Sequence, residues 1–427
     1  MTITDRKQAP AIHDAIEFDY RLPPLQTAVL DNGVPLYWLN AGVQDVVEIN
    51  WVFPAGLWYE EKPAVAHASA GLLKSGTLQQ TANQINESLE FYGANLKVHA
   101  GNDYITLTLD TLTRHLPAIL PIVAEVMAEA QFPQHELDLY QNNAIQRLLV
   151  SQRECDFVAN QKIDAMLFGA DHPYGRYSRK EAIEALQCED LLAFHRRHLG
   201  FSGLKMFMAG KVGDQEVQLL NRIFGSVAIQ GTVSTPQHAI DAATERKVFF
   251  SNDPNGVQGA VRIGRRFIRR THPDFAGVVV LNTVFGGYFG SRLMSNIREE
   301  KGFTYGIYSS VGAFAEDASL IIHTEAGRDV LEQTVTEVYH EMDRLCREPV
   351  EAEELLLVKN YLLGNILGDL DGPFSIMQRW RSLILNGFGI ERFNANIETY
   401  KSITADELLT LAQRYLDKKD FYELVVV

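Results

Sequence analysis

The sequence predicts an α+β protein of two homologous lobes, each a mostly antiparallel sheet packed against long helices, with a linker between them. Three observations support this fold class. The chain has 427 residues, more than a single hydrophobic core usually accommodates. Segments of alternating apolar and polar residues are interleaved with long amphipathic segments, as expected for helices layered on a sheet. Helix-boundary signals of the first half also recur in the second half.

The recurring signals have a nearly constant spacing. An acidic pair precedes an amphipathic helix at Glu189 and again at Asp406, which lies 217 residues later. In each half, a proline-containing loop follows a long helix and leads to Leu137 in the first half and to Leu355, 218 residues further on, in the second. Because two separate signals agree to one residue, they indicate duplicated domains rather than a solenoid.

The elements and lobes can be placed along the chain. Alternation predicts strands over residues 104–109, 247–250 and 319–324, and helical periodicity predicts long helices over 116–130 and 331–346.

The predicted first lobe spans residues 18–224 and the second lobe spans 247–427. Between them, residues 225–246 begin with Gly, Ser, Thr and Pro and then turn polar, which is typical of a linker. A hinge in this linker would let two rigid lobes open and close.

Charge and cysteine content restrict the function. The 39 basic and 54 acidic residues give a net charge of −15, which argues against nucleic acid or an anionic membrane as partner. The three cysteines lack metal-binding spacing and are expected to be free thiols. A local exception to the acidic charge is a run predicted to form a solvated or ion-paired face of a strand: Arg262, Arg265, Arg266, Arg269 and Arg270.

The sequence also indicates a location. The amino-terminal residues MTITDRKQAPAIHDAIEFDY include acidic side chains and lack the apolar segment of a signal peptide. The apolar stretch over residues 276–290 is too short for an ordinary spanning helix. We therefore expect a cytoplasmic protein without a membrane anchor.

Residues 67–77, HASAGLLKSGT, have the outline of a zinc-peptidase helix without its metal chemistry. In the inverted motif H-x-x-E-H, two histidines bind zinc, the glutamate is the general base, and a Gly-Thr pair follows closely. His67 occupies the first position, but Ala70 replaces the glutamate and Gly71 replaces the second histidine. Because zinc sites normally need three or four protein ligands, we expect no metal at His67.

Eight short motifs follow one another along the two lobes. They are WVFPAG from residue 51, YEE from 59, the segment 67–77, YGA from 92, HPYGR from 172, GG from 286, SRL from 291 and IREEKGFTYGIY from 297. In this order, they resemble the pitrilysin and insulin-degrading-enzyme family of inverted-motif zinc peptidases. The likeness is to its bacterial two-lobe members and to the subunits of mitochondrial processing peptidase.

The resemblance implies a substrate clamp in the second lobe. In the family, an arginine and a tyrosine seven residues apart grip the peptide carbonyl near the scissile bond, and Arg298 and Tyr305 match these positions. A guanidinium and a phenol that converge on one oxygen would position a peptide and stabilise negative charge. The alternative is that Arg298 belongs to a surface charge cluster with Glu299, Glu300 and Lys301, and Tyr305 to a strand core.

The resemblance also implies what the first lobe has lost. The family's third zinc ligand is a glutamate on a later helix, where this chain has Leu148. The family's edge strand, which can pair with an extended peptide, corresponds here to Asn95, Leu96, Lys97 and Val98. Lys97 and Val98 depart from the usual Asn-Ala pair of that strand.

The sequence therefore predicts a non-catalytic subunit of a two-subunit zinc metallopeptidase. Alone, the chain would be inactive. It would bind a peptide and position it for a zinc-bearing paralogue. We therefore expect zinc on the partner and no cofactor on this chain. The alternative is a structural or scaffolding homologue that acts as a homodimer without proteolysis. An autonomous peptidase would need another metal site, for which His195 and His198, with His172 as a remote third ligand, are the candidates.

Overall fold

The computed structural model describes residues 13–232 and 235–427. Two parts of the chain lie outside the described residues. They are residues 1–12, which belong to the segment in which the sequence predicts no signal peptide, and Val233 and Ser234 of the predicted linker. The strands are β1 Gln26–Val29, β2 Pro35–Asn40, β3 Val46–Phe53, β4 Asn95–Ala100, β5 Ile105–Leu112, β6 Lys205–Gly210, β7 Lys247–Phe250, β8 Gln258–Arg266, β9 Thr304–Ala313, β10 Ala318–Gly327 and β11 Tyr422–Val426.

The helices are longer elements between these strands. They are α1 Val65–Gly71, α2 Ala82–Phe91, α3 Leu116–Ala128, α4 Gln134–Ser151, α5 Cys155–Phe168, α6 Lys180–Glu184, α7 Cys188–His198, α8 Asp214–Phe224, α9 Phe275–Phe285, α10 Leu331–Arg347, α11 Ala352–Asp369, α12 Pro373–Leu385, α13 Ile390–Ser402 and α14 Ala405–Tyr415. A π-helical turn, Met294–Glu300, precedes β9.

The two halves of the chain form two sheets with the same topology. The first sheet has the order β1-β2-β6-β3-β5-β4 and the second has the order β7-β11-β8-β10-β9. Apart from the additional β1, each position in the first sheet has a counterpart in the second, including one parallel pair, β2 with β6 and β7 with β11. The predicted α+β class and the duplication are confirmed, and the predicted strand at 247–250 has the observed bounds.

Each sheet is covered on one face by helices of its own half. Strand and helix residues such as Ile49, Leu107 and Ile119 form the apolar core on one side of the first sheet. In the second half, Ile263 and Ile322 pack with α9, α10 and α14 in the same manner. The buried residues alternate along the strands, since successive side chains point to opposite faces.

The other face of each sheet is covered by a helix from the opposite half. Helix α5 of the first half packs on β8 and β11 of the second sheet, and α12 of the second half packs on β2 and β6 of the first. The two helices start 218 residues apart, so they are equivalents in the repeat. The halves therefore exchange one helix each, and neither core is complete without the other half.

Arg262 is ion-paired, as one form of the prediction for the arginine run allowed, but it is buried rather than at the surface. It is 1% exposed, because it lies on the face of β8 that α5 covers. Its guanidinium forms an ion pair with Asp156 and donates from Nε to Oδ1 of Asn160 at 2.8 Å, and both partners are on α5. Three other arginines of the run form ion pairs with carboxylates nearer the surface. Arg265 pairs with Asp420, Arg266 with Asp317 and Arg269 with Glu316.

The second exchanged helix also carries an arginine to the sheet that it covers. Arg381 of α12 donates to Oδ1 of Asn50 on β3 at 2.5 Å, and Thr108 on β5 donates to the same oxygen at 2.8 Å. Asn50 is buried, so its amide requires such partners. Each sheet is thus joined to its borrowed helix by apolar packing and by an arginine-centred polar contact.

The predicted linker spans residues 225–246, and its later part is hydrogen-bonded to the first half. The indole of Trp58 donates to the carbonyl of Pro236 at 3.1 Å, and His238 Nε2 bonds to the Trp58 carbonyl at 2.8 Å. The amide of Ala243 donates to the Met166 carbonyl at 2.9 Å. These bonds, together with the exchanged helices, oppose a free hinge between the halves.

The contact between α5 and β8 generates the first prediction. Asp156→Ala should lower the free energy of unfolding by about 2–3 kcal/mol, because it leaves the buried guanidinium of Arg262 without its counter-ion. Arg262→Met should cost less than about 1 kcal/mol, because Asp156 is half exposed and regains water. Urea denaturation of both variants measures the difference.

The exposed pair of Arg269 with Glu316 provides the control, and Glu316→Ala should change stability by at most about 1 kcal/mol. Equal losses in Asp156→Ala and Arg262→Met would show that the pair does not hold α5 through charge compensation.

Candidate functional site

The degenerate zinc helix α1 is held at its start by a buried carboxylate. Glu60 accepts hydrogen bonds from the amide of Ala66 and from Arg176, both at 2.9 Å. Burial raises the pKa of Glu60, and the two donors act against that shift. Ala64, which precedes the helix, has a left-handed backbone with φ of 73°. These contacts fix the direction in which α1 leaves the loop after β3.

His67 is on the exposed side of α1, on the wall of a cavity. Water reaches the ring, but the surrounding protein displaces bulk solvent, and this desolvation lowers the pKa of His67. The neighbouring His99 lowers it further. His67 is therefore neutral at physiological pH, and it forms no side-chain hydrogen bond with any residue in the described ranges.

The positions of the missing base and second histidine are closely packed. Ala70 is 5% exposed. A Cβ atom on Gly71 would lie 3.0 Å from Cε2 of Tyr140, so the phenol ring of α4 abuts the space that a ligand side chain at position 71 would enter. Burial raises the pKa of Tyr140 to about 12, so the hydroxyl is neutral.

The position of the third ligand is apolar. Leu148 on α4 is 9% exposed and lines the same cavity as His67, and its neighbour Arg147, which is exposed, also lines that cavity. Glu154, the nearest acidic residue after it, is the N-cap of α5 and is exposed rather than directed to the cavity. The structure therefore places His67 and Leu148 on the wall of one cavity, and Gly71 packs against Tyr140, which lines the same cavity.

The cavity at this place has a volume of about 400 Å³. One wall carries Asp164 of α5, which accepts a hydrogen bond from the hydroxyl of Tyr177 at 2.8 Å. Burial raises the pKa of Asp164 to about 6. Phe314, from the turn between β9 and β10 in the second half, closes another side and stacks on Tyr174 at 4.2 Å between ring centroids.

Arg298 and Tyr305 are brought together elsewhere, at the surface of the second half. Arg298 is on the π-helical turn, and its guanidinium carbon is 5.6 Å from the ring centroid of Tyr305 on β9. Phe289, from the preceding glycine-rich loop, lies on the guanidinium at 4.5 Å. Tyr305 is 93% exposed, so it is not part of a strand core.

The guanidinium of Arg298 is available for a ligand. Within residues 13–232 and 235–427, no carboxylate or carbonyl pairs with it, and Lys301 of the proposed charge cluster pairs with Glu337 instead. Gly302, with φ of 67°, forms the turn between the π-helical segment and β9 and so places the two side chains side by side.

The arginine–tyrosine pair is far from the degenerate zinc cavity of the same chain. Tyr305 lies at the start of β9 and Phe314, which lines the cavity, directly after its end. They are nine residue steps apart along an extended strand, which corresponds to about 30 Å.

The predicted peptide-docking segment forms an edge strand. Its residues Asn95, Leu96, Lys97 and Val98 belong to β4, which is last in the first sheet and pairs with β5. Lys74 Nζ donates to the carbonyl of Leu96 at 2.8 Å, and Lys97 pairs with Asp110 of β5 at 3.5 Å. The Lys74 ammonium thus already occupies one main-chain acceptor of β4, the carbonyl of Leu96.

Two sequence profiles of one peptidase family match this chain. Residues 39–172 match the sequence profile of Insulinase (Peptidase family M16), and residues 185–362 match that of the Peptidase M16 inactive domain. The chain belongs to peptidase family M16. This M16 member lacks the zinc-binding motif, since Ala70 and Gly71 stand where the family motif has glutamate and histidine.

Relatives of similar length are known. The chain is 25% identical over 362 residues to an uncharacterized zinc protease of Mycobacterium leprae, a match that covers 83% of this chain and 80% of that protein. A crystal structure of a peptidase M16 inactive domain from Pseudomonas fluorescens is similar in fold, with a TM-score of 0.86, 19% identity and coverage of 94% and 98%. A protease from Helicobacter pylori has a TM-score of 0.87, 15% identity and coverage of 95% and 100%.

Zinc, which the family implies, does not fit the residues of this site. One neutral imidazole remains, beside an alanine, a glycine packed against Tyr140, and a buried leucine. Among the described residues there is no group of three or more His, Cys, Asp or Glu side chains that could hold a metal ion. The three cysteines are free.

The candidate histidines for another metal site have other roles. His195 Nε2 bonds to the carbonyl of Met127 at 2.8 Å in the core. His198 is buried, and burial lowers its pKa to about 4. His172 accepts from the amide of Tyr174 at 3.1 Å and stacks on Phe168. They belong to the packing of the first half.

Three side chains of the two sites were missed by the sequence interpretation. No spacing rule indicates that Tyr140 packs against Gly71 or that Asp164 lines the cavity of His67, because these residues come from elements distant in sequence. Phe289 had a detectable signal, since Tyr288 and Phe289 are large aromatic residues inside a glycine-rich loop. Binding residues are disproportionately found on loops.

No helix of the described part of the chain has the length and apolarity needed to cross a membrane.

The second prediction concerns zinc. Ala70→Glu with Gly71→His should bind far less than one zinc ion per chain and should show no chelator-sensitive peptide hydrolysis, because Leu148 still replaces the third ligand and Tyr140 obstructs residue 71. Elemental analysis after dialysis against zinc measures the metal. One tightly bound ion in this variant would contradict the assignment of Leu148 to the ligand position.

The third prediction concerns pH. The folded-state pKa of Asp164, about 6, lies above the value near 3.8 of an unburied carboxyl. The folded chain therefore holds more protons between these values, and this contribution to stability is present below about pH 4 and lost as the pH rises through about 6. Asp164→Asn lacks this pH-dependent contribution. The free energy of unfolding of the variant minus that of the native chain should therefore be about 1–2 kcal/mol larger above pH 7 than at pH 4.

Denaturation midpoints measured from pH 4 to pH 8 provide the check, with the exposed Asp171→Asn as the matched control. A difference between Asp164→Asn and the native chain that does not vary with pH would show that Asp164 is not titrating in the folded state over this range.

Proposed function

We propose that this chain is the non-catalytic subunit of a two-subunit zinc metallopeptidase. It binds and positions a peptide, and a zinc-bearing M16 paralogue supplies the metal that activates water for hydrolysis. The chain alone is inactive as a peptidase. A cytoplasmic location and a dimeric assembly with the paralogue belong to the same proposal.

The observation that carries the proposal is the separation of the two sites. Tyr305 is exposed and the guanidinium of Arg298 has no ion pair or hydrogen-bond partner among the described residues, whereas the zinc cavity of the same chain lacks the family's ligands. A distance of about 30 Å along β9 prevents the pair from acting on a peptide held at the cavity's own centre. A pair that still serves catalysis must therefore meet a metal centre on another chain.

The chemistry of the pair suits a peptide carbonyl. Arg298 has its guanidinium directed beside the phenol of Tyr305, and both groups can donate a hydrogen bond to one oxygen. Phe289 also lies against the guanidinium and restricts its rotation through a cation–π contact. Donors held in place before substrate arrives stabilise developing charge better than mobile ones.

The edge strand β4 supports a second contact with peptide. An extended peptide can add to the free side of β4 alongside Asn95, Leu96, Lys97 and Val98, and main-chain hydrogen bonds would align it. The bond from Lys74 to Leu96 competes with one of these, so the register of an added peptide must leave that carbonyl to the lysine.

The fourth prediction tests the clamp. In a complex reconstituted with the zinc-bearing paralogue, Arg298→Ala or Tyr305→Phe should lower turnover by about 10²-fold or more, the usual effect of losing a preorganised oxyanion donor. Tyr305→Phe removes one exposed oxygen, so the melting temperature and the affinity for the paralogue should not change. A fluorogenic peptide assay and thermal denaturation on the same samples give both quantities.

Tyr308→Phe is the matched control, since Tyr308 is on the same strand and 40% exposed but lies beside His323 rather than Arg298. Unchanged turnover of the complex with Tyr305→Phe would show that the Tyr305 hydroxyl takes no part in catalysis, which contradicts the proposed clamp. If the purified chain instead forms a homodimer and no paralogue joins it, the structural or scaffolding role is the correct one.

A further inference from the structure

A small cationic pocket lies in the second half, away from both sites described above. It has a volume of about 70 Å³ and is lined by three arginines, Arg270, Arg379 and Arg392, from the loop before α9 and from helices α12 and α13. The remaining polar lining consists of the neutral side chains Ser382, Asn386 and Asn396. Within the part of the chain that the structure describes, no carboxylate lines the pocket.

The three guanidinium groups are not fully neutralised. Arg379 pairs with Asp369. Arg392 donates to the main-chain carbonyls of Arg270 and His272, which are neutral acceptors. Arg270 is half-buried, and in the described ranges it has neither an ion pair nor a side-chain hydrogen bond. Two positive charges thus remain without a counter-ion in a chain whose net charge is −15.

Burial of such a cluster is unfavourable in the empty pocket. Desolvation lowers the pKa of Arg270, Tyr400 acts against this shift, and the neighbouring Arg379 lowers the pKa further. All three arginines are close enough to Tyr400 to act on its ionisation. An anion in the pocket would relieve the repulsion and accept charge-assisted hydrogen bonds from several guanidinium nitrogens.

We propose that this pocket binds a tetrahedral oxyanion, either free phosphate or the terminal phosphoryl group of a small phosphomonoester. The volume is enough for several water molecules or for one such group, but not for a larger ligand as a whole. Arginine forks match phosphate oxygens in geometry, and the serine and asparagine side chains add neutral donors. The apolar lining, which includes Phe275 and Phe388, would contact an ester group.

The fifth prediction is a test by calorimetric titration with sodium phosphate, at constant ionic strength maintained with sodium chloride. The native chain should bind one phosphate per chain, and Arg270→Gln should reduce the affinity about tenfold or more, the effect of losing a charge-assisted hydrogen bond. Without phosphate, Arg270→Gln should melt at the same temperature as the native chain or higher, because an unpaired charge has been removed. Arg269→Gln, at the adjacent surface position paired with Glu316, should bind phosphate normally.

Asn396→Asp provides an independent variant. A carboxylate in the lining would act as an internal counter-ion, so phosphate binding should disappear while the melting temperature is maintained or raised. Titration with phenyl phosphate then distinguishes the sources: binding at least as tight as that of phosphate assigns a phosphomonoester, and binding of phosphate alone assigns the free anion. No binding of either, or equal binding by the native chain, Arg270→Gln and Asn396→Asp, would overturn the proposal.

Discussion

Each half of the molecule depends on a helix that the other half supplies. Helix α5 covers a face of the second sheet and α12 covers a face of the first, so two sheets of the same topology share their cores reciprocally. A sheet with one apolar face uncovered would expose a large hydrophobic surface. The exchange therefore fixes the relation between the halves, and with it the positions of the cavity at α1 and of the arginine–tyrosine pair on β9.

The residues of the first half do not fit zinc, because of their packing as well as their chemistry. Ala70, Gly71 and Leu148 stand where the family resemblance implies the base, the second histidine and the third ligand, and Tyr140 and Leu148 border this space. The remaining cavity is lined by the neutral His67, by the guanidinium groups of Arg147 and Arg176 and by a protonatable carboxyl, Asp164. In the second half, by contrast, Phe289 and Tyr305 hold an arginine at the surface with an open guanidinium. The proposed role as a non-catalytic subunit rests on this difference between the two sites.

Much of this could be predicted from the sequence. Repeated helix boundaries indicated the duplication, alternation located strands such as β7, and the family resemblance placed Arg298 beside Tyr305. The exchange of α5 and α12 could not be predicted, because periodicity shows that a helix has an apolar face but not which sheet covers it. The burial of Arg262 has the same origin, since an arginine on one face of a strand reads as solvated unless the covering helix is known. Tyr140 and Asp164 depend on contacts between distant elements, which spacing does not encode.

The reciprocal exchange also constrains the order in which the chain can fold during synthesis. When residues of the first sheet have left the ribosome, the helix that covers Leu39, Val52 and Phe207 has not been made, because it begins at Pro373. At common rates of translation this interval is on the order of ten seconds or more. During that time the nascent first half exposes an apolar face to water, and we expect chaperones to bind it. A truncated product lacking α12 would be prone to aggregate for the same reason.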